Sequence, residues 1–156
     1  MSGHGAPTIQ FEGAHSMKVT VVAGMWHKEI AEALVAGATR VLERAGADIS
    51  IVRVPGSFEL PLVAKAALEG GAEAVVALGV IIRGGTPHFE YVSSAATTGL
   101  TDVALQTGKP VGFGVLTLDD DKQGLDRAGL PGSSEDKGAE AAEAALHTAL
   151  ILRRLS

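Results

Sequence analysis

From Ala74 to Ile82 the chain reads Ala-Val-Val-Ala-Leu-Gly-Val-Ile-Ile, apolar almost without a break. Such a stretch is too short to span a bilayer, which takes roughly 20 residues. It is also too evenly apolar for a strand with one face in water, where side chains would alternate. It fits a parallel strand covered on both faces, and parallel neighbours must be reached by crossover connections. That requirement sets what the rest of the chain has to supply.

The remaining segments supply it. Lys18–Gly24, Ile49–Val54 and Val111–Leu118 are β-branched runs bounded by Gly or Pro, the mark of strands. Between the first two, Ile30, Ala33, Leu34, Ala38, Val41, Leu42 and Ala45 recur at steps of three and four, one face of a helix stopped by Gly46. A second helix is expected from about Phe58 to Glu69 and a third from about His88 to Gln106. Two more follow the last strand, at about Asp120–Ala128 and Glu135–Arg153, the latter with Ser133 or Ser134 as N-cap. Strand and helix alternate four times, which predicts an α/β fold: a three-layer αβα sandwich on a four-stranded parallel sheet, flavodoxin-like, with right-handed crossovers. Residues 1–16, sprinkled with Gly, His and Pro, are expected to form a flexible arm with a short strand at Thr8–Phe11, and 17–156 a single domain. A four-stranded sheet has two open edges, so self-association is expected, the arm adding a strand to a neighbouring subunit.

Composition narrows the function. At 156 residues and 46% hydrophobic, the chain has material for one full core. Without cysteine it can build no disulfide, thiol nucleophile or Cys-ligated metal site. A net charge of -5, with no basic cluster, speaks against a nucleic-acid surface. The start lacks the basic and greasy stretches of a signal peptide, so a cytoplasmic protein with no membrane span is expected. No histidine–carboxylate pattern has metal spacing, and Gly-x-Ser-x-Gly is missing, so neither a metal nor a covalent serine mechanism is expected.

Rings are scarce: one Trp, one Tyr and four Phe. In open α/β sheets ligands bind at the carboxyl ends of the strands. Trp26 follows the first strand, Phe58 the second and Phe89 and Tyr91 the third, while Phe113 lies in the fourth. Most of the rings therefore gather toward one edge, as stacking on a planar ligand would require. The third strand runs into Arg83-Gly-Gly-Thr86, and Pro87 opens a helix. Glycines admit an anion close to the backbone, a helix start offers it free N–H groups, and Thr86 adds a hydroxyl. His88 stands in the first helical turn, where the positive helix end disfavours an imidazolium and suits the ring to exchanging protons. Arg127 and Lys137 are cations near helix ends, and Arg127 is the better candidate to reach a phosphate. These residues describe a small domain that binds a phosphorylated compound and a flat one.

Several motifs go further: Val54-Pro-Gly-Ser-Phe-Glu-Leu-Pro61, the Gly79–Val92 segment, Gly114-Val-Leu-Thr117, and Leu125-Asp-Arg-Ala-Gly129 followed by Lys137-Gly138. With Trp26, they make the chain resemble the lumazine synthase family from about Met17 to Leu155. The resemblance implies a transferase of riboflavin biosynthesis that condenses 5-amino-6-(D-ribitylamino)uracil with 3,4-dihydroxy-2-butanone 4-phosphate, without a cofactor. It implies that Trp26 stacks on the pyrimidine, and that Ser57, Phe58 and Glu59 hold the ribityl chain. By the same resemblance, backbone groups of Val80, Ile81 and Ile82 read the uracil edge, and Gly85, Thr86 and Arg127 take the phosphate. His88 would move protons, Lys137 would assist the anionic end, and Phe113 would come from the adjacent subunit. The implied partners are further copies of the chain, with sites at the subunit interfaces, and riboflavin synthase.

Gly124 and the acidic Asp119–Asp121 depart from the family pattern beside the anion site. The Leu130–Asp136 loop is about two residues longer than in members that build icosahedral shells, which favours a homopentamer. Two rivals stand beside the main reading: an archaeal-type riboflavin synthase, and a catalytically silent flavin-binding or shell-forming relative. The motifs around Gly79–Val92 and Arg127 weigh against the first, and the joint presence of Trp26, His88 and Arg127 against the second.

Overall fold

The computed structural model describes residues 5–7 and 12–156. The strand expected at Thr8–Phe11, and with it the addition of that strand to a neighbour, lies outside the described residues. The elements follow in the order β1 (Lys18–Gly24), α1 (Lys28–Arg44), β2 (Asp48–Val54), α2 (Leu60–Glu69), β3 (Ala74–Ile82), α3 (His88–Thr107), β4 (Val111–Leu118), α4 (Asp121–Asp126) and α5 (Lys137–Leu155). The four strands form one parallel sheet in the order β2-β1-β3-β4. The α/β sandwich is thus present as expected, and β3 is buried nearly end to end.

Alternation along β3 feeds two separate cores. Ala74, Val76, Leu78 and Val80 pack with α1 and α5 around Leu34, Leu42 and Leu146. Val75, Ala77 and Ile81 face the other way, against Leu60, Leu68 and Leu100 of α2 and α3. Successive strand residues point to opposite faces, so an unbroken apolar run is what a strand between two helix layers needs. The outer strands lack this cover: Ile51 and Val52 on β2 and Phe113 on β4 are exposed.

The layers on the α1/α5 side sit close because small residues let them. A Cβ on Gly138 would strike the Leu34 carbonyl of α1, and one on Gly112 the Ala141 carbonyl of α5. Lys18 and Glu73 close the amino end of the sheet. The Lys18 N–H donates to Glu73 Oε2 at 2.9 Å, and Arg153 Nη2, from the end of α5, to Oε1 at 2.8 Å.

Two helix starts and one helix end differ from expectation. Ser57–Glu59 form a 3-10 turn ahead of α2, because the Glu59 carboxylate folds back to accept the Gly56 N–H at 2.8 Å. α4 is confined to Asp121–Asp126 by its Asp120 cap, while Ala128 is drawn into an antiparallel bridge with Asp136. α5 is capped by Asp136, which accepts from the Ala139 N–H at 3.1 Å, and not by Ser133 or Ser134. Those two hydroxyls are spent on the end of α4: Ser133 donates to the Leu125 carbonyl and Ser134 to the Asp126 carboxylate. No helix among the described residues is long and apolar enough to cross a membrane.

Candidate active site

At the carboxyl end of the sheet, a cleft of about 660 Å³ opens between the loops after β1, β2 and β3. That volume lies within the range of small-molecule sites. β1 ends in Gly24 and hands the chain to Trp26 and His27 at the start of α1. β2 delivers Gly56, Ser57, Phe58 and Glu59, and β3 the backbone of Val80, Ile81 and Ile82. α3 closes the cleft with His88, Tyr91 and Val92. Eight of the residues singled out from the sequence therefore share one concavity: Trp26, Ser57, Phe58, Glu59, Val80, Ile81, Ile82 and His88.

The rings of this cleft are not plugs. Trp26 is 67% exposed, Phe58 65% and Tyr91 75%, so their faces are open to a flat molecule. Ser57 is buried instead, its hydroxyl seated against the bare Cα of Gly79 in β3. Gly56 plays a similar part for the indole: a Cβ there would lie 3.1 Å from Trp26 Cδ1 and 3.3 Å from Nε1. Its φ of −155° is extended backbone open to any residue, so closeness to the ring is what calls for glycine.

Between β3 and α3 the loop is braced by Arg83. Its Nη1 donates to Glu90 at 2.6 Å, its Nε to Asp119 at 3.1 Å, and its guanidinium lies 4.3 Å over the Phe89 ring. The hydrogen bond from Arg83 holds the Glu90 carboxyl below its usual range, and the same bond raises the Arg83 pKa. Thr86 Oγ1 accepts the His88 N–H at 3.4 Å and so shapes the start of α3. A side chain on Gly84 or Gly85 would meet nothing of this chain within 4 Å. Nothing in the subunit itself crowds these two positions, and their backbone faces open space.

Arg127, Lys137 and Phe113 are placed elsewhere. Arg127 lines a second cavity of about 680 Å³, with Glu29, Asp120, Gln123 and Leu130. Its Nη1 donates to the Gln123 carbonyl at 3.0 Å, and its Nε lies 3.6 Å from Glu135. Lys137 Nζ shares that Glu135 at 3.5 Å and sits 3.1 Å from Glu140. The structure thus joins Arg127 and Lys137 to each other through Glu135, but does not bring either to the His88 cleft of the same chain. Phe113 pairs with Ala77 in mid-sheet and not at the carboxyl edge where the sequence suggested it: β4 has the expected bounds, Val111–Leu118, and Phe113 is its third residue, toward the amino end. No group of three or more His, Asp or Glu among the described residues could hold a metal ion.

The family model for 6,7-dimethyl-8-ribityllumazine synthase matches residues 16–153, nearly the whole described chain. The chain belongs to this family. Among its relatives, the 6,7-dimethyl-8-ribityllumazine synthase of Leifsonia xyli subsp. xyli is 73% identical over 99% of both chains. That of Clavibacter michiganensis subsp. michiganensis is 68% identical over 99% of this chain and 98% of its own. At 60% identity, the enzyme of that name from Paenarthrobacter aurescens is matched over all of both chains.

One residue of the cleft carried little weight in the sequence, where it stood among the histidines of weaker context. His27 lines the cleft beside Trp26, the two ring centroids 6.3 Å apart, and its Nδ1 lies 3.8 Å from Asp121 of α4. The available signal was its position, directly between an aromatic at a strand end and the first turn of a helix.

Proposed function

We propose that the protein makes 6,7-dimethyl-8-ribityllumazine in the cytoplasm, condensing 5-amino-6-(D-ribitylamino)uracil with 3,4-dihydroxy-2-butanone 4-phosphate. The observation that carries this is the cleft where Trp26, Phe58, Glu59 and His88 converge at the end of β3, in a chain matched by the family model over 16–153. In this reading the pyrimidine stacks on Trp26, while the backbone of Val80–Ile82 meets its polar edge and Ser57, Phe58 and Glu59 line the ribityl chain.

The chemistry needs little from the protein beyond placement, charge and proton movement. The 5-amino group attacks the butanone carbonyl, and loss of water gives a Schiff base. Removal of the C3 proton expels the C4 phosphate with its electron pair, leaving an enol that becomes a methyl ketone. The ribitylamino nitrogen closes on that ketone, and a second water departs. Electrons balance without an external oxidant, so no cofactor enters. His88, in the first turn of α3, stands where it can carry the protons. In this reading Gly85 and Thr86, with Arg127, receive the leaving phosphate, and the open space around Gly85 supports it. Holding two reactants in contact supplies much of the acceleration.

Arg127, Lys137 and Phe113 belong to this site only if a second copy of the chain brings them to it. Their placement away from the His88 cleft supports an assembly, a homopentamer in our reading, whose sites lie between subunits. Mixing both substrates with the protein and following lumazine fluorescence together with phosphate release tests the reaction. Product in step with phosphate is expected, and neither appearing would overturn the assignment in favour of a silent relative.

A further inference from the structure

We propose that His27 is a positioning residue of the cleft, fixing with Gly56 the angle at which the Trp26 indole meets a planar ligand. Three observations lead to it. His27 has φ 55° and ψ 66°, and Ser16 is the one other described non-glycine residue with positive φ. Such a backbone is costly for a residue with a Cβ and persists where its surroundings demand it, most often at functional sites. An N-cap residue usually recovers some of that cost by bonding a free N–H of the first turn, yet the His27 side chain makes no cap hydrogen bond. The left-handed turn instead sends the imidazole into the mouth of the cleft, tilted 45° to the indole on one side and facing the Asp121 carboxylate on the other.

The indole itself has few other restraints. It is 67% exposed, and its contact with Gly56 limits it along one edge. An unrestrained ring would lose rotamer freedom on stacking, which weakens binding. The imidazole, set between the indole and Asp121 of α4 by its left-handed backbone, confines the ring on a second side and removes part of that loss before the ligand arrives. Asp121 belongs to the acidic stretch that departs from the family pattern, and this contact gives that stretch a task.

The ligand named here rests on the function proposed above, but the ring's restraint does not. The sequence contains a single tryptophan, so intrinsic fluorescence reports Trp26 alone. His27→Gly is the informative variant, because glycine takes the left-handed backbone freely while removing the imidazole. Its Tm should equal or exceed that of the parent, with faster decay of Trp26 anisotropy in the unliganded protein. In turnover, its KM for the pyrimidine should rise about fivefold, while KM for the butanone phosphate stays within about twofold. Asp121→Asn, which keeps the fold's shape, should move both readouts in the same direction by less. An unchanged anisotropy and pyrimidine KM in His27→Gly would reduce His27 to a turn residue and overturn the proposal, as would an equal rise in both KM values. A parent protein that forms no lumazine would defeat the functional assignment while leaving the anisotropy test intact.

Discussion

In the proposed reaction His88 serves as the proton carrier and Arg127 as the phosphate's cation, and their replacement should tell the two roles apart. His88 moves protons that water can also move, so His88→Ala should retain measurable turnover with a lowered kcat. Arg127 supplies charge to a phosphate, so Arg127→Ala should act mainly on KM for the butanone phosphate, by roughly tenfold. Steady-state kinetics varying each substrate in turn separate the two, and an unaltered KM in the Arg127 variant would remove it from the phosphate site. The shared cleft was legible in the residues themselves: Trp26, Phe58 and His88 each follow a strand end, and the carboxyl edge of a parallel sheet is where such side chains converge. Phe113 was misplaced even though the bounds of β4 were read correctly, because a residue third in its strand lies well short of the carboxyl edge. The relation of Arg127 to His88 was illegible for a deeper reason, since spacing along a chain does not say which cavity a helix end faces. His27 ranked below His88 in the sequence because a left-handed backbone leaves no mark on a hydrophobic pattern.

Among the elements, the contact of α1 with α5 should be the least forgiving. Gly138→Ala forces a methyl against the Leu34 carbonyl, backbone that cannot swing aside, and should cost about 1–3 kcal/mol in chemical denaturation. A variant of parental stability would mean that α5 can shift outward at no cost. The closure of the sheet's amino end adds a pH dependence. The Arg153 hydrogen bond, with help from the Lys18 N–H, holds the Glu73 carboxyl below the ordinary glutamate pKa of 4.5. A depressed folded-state pKa contributes stability above pH 4.5 that is lost as pH falls through the lower folded value. Glu73→Gln should therefore be less stable than the parent near neutrality, with the Tm gap narrowing below pH 4.5. A gap that stays constant with pH would assign the contact to packing and not to charge. The strand boundaries agreed closely with the sequence pattern, whereas the starts of α2 and α5 and the end of α4 did not. Strand limits follow from burial, but helix starts depend on which side chain reaches a free N–H first, as Asp136 does ahead of Ser133 and Ser134.

For the whole molecule, the proposed assembly makes two predictions. Light scattering should give a mass of about 80 kDa, five times the 15.9 kDa chain. A value near a megadalton would instead indicate a closed shell. The second prediction concerns the division of the site between copies. Mixing subunits of Trp26→Ala with subunits of Arg127→Ala, after dissociation and reassembly, should yield more activity than either alone, because some junctions then pair two intact halves. No recovery would place both residues in one copy's site. The separation of the two cavities on a single chain has a kinetic corollary. On the proposed division of the site, a lone subunit carries the parts of two half-centres that cannot meet, so progressive dilution should erode turnover per milligram before it unfolds anything. The protein would then be switched on by its own abundance, silent while newly made chains are scarce and active once they find one another.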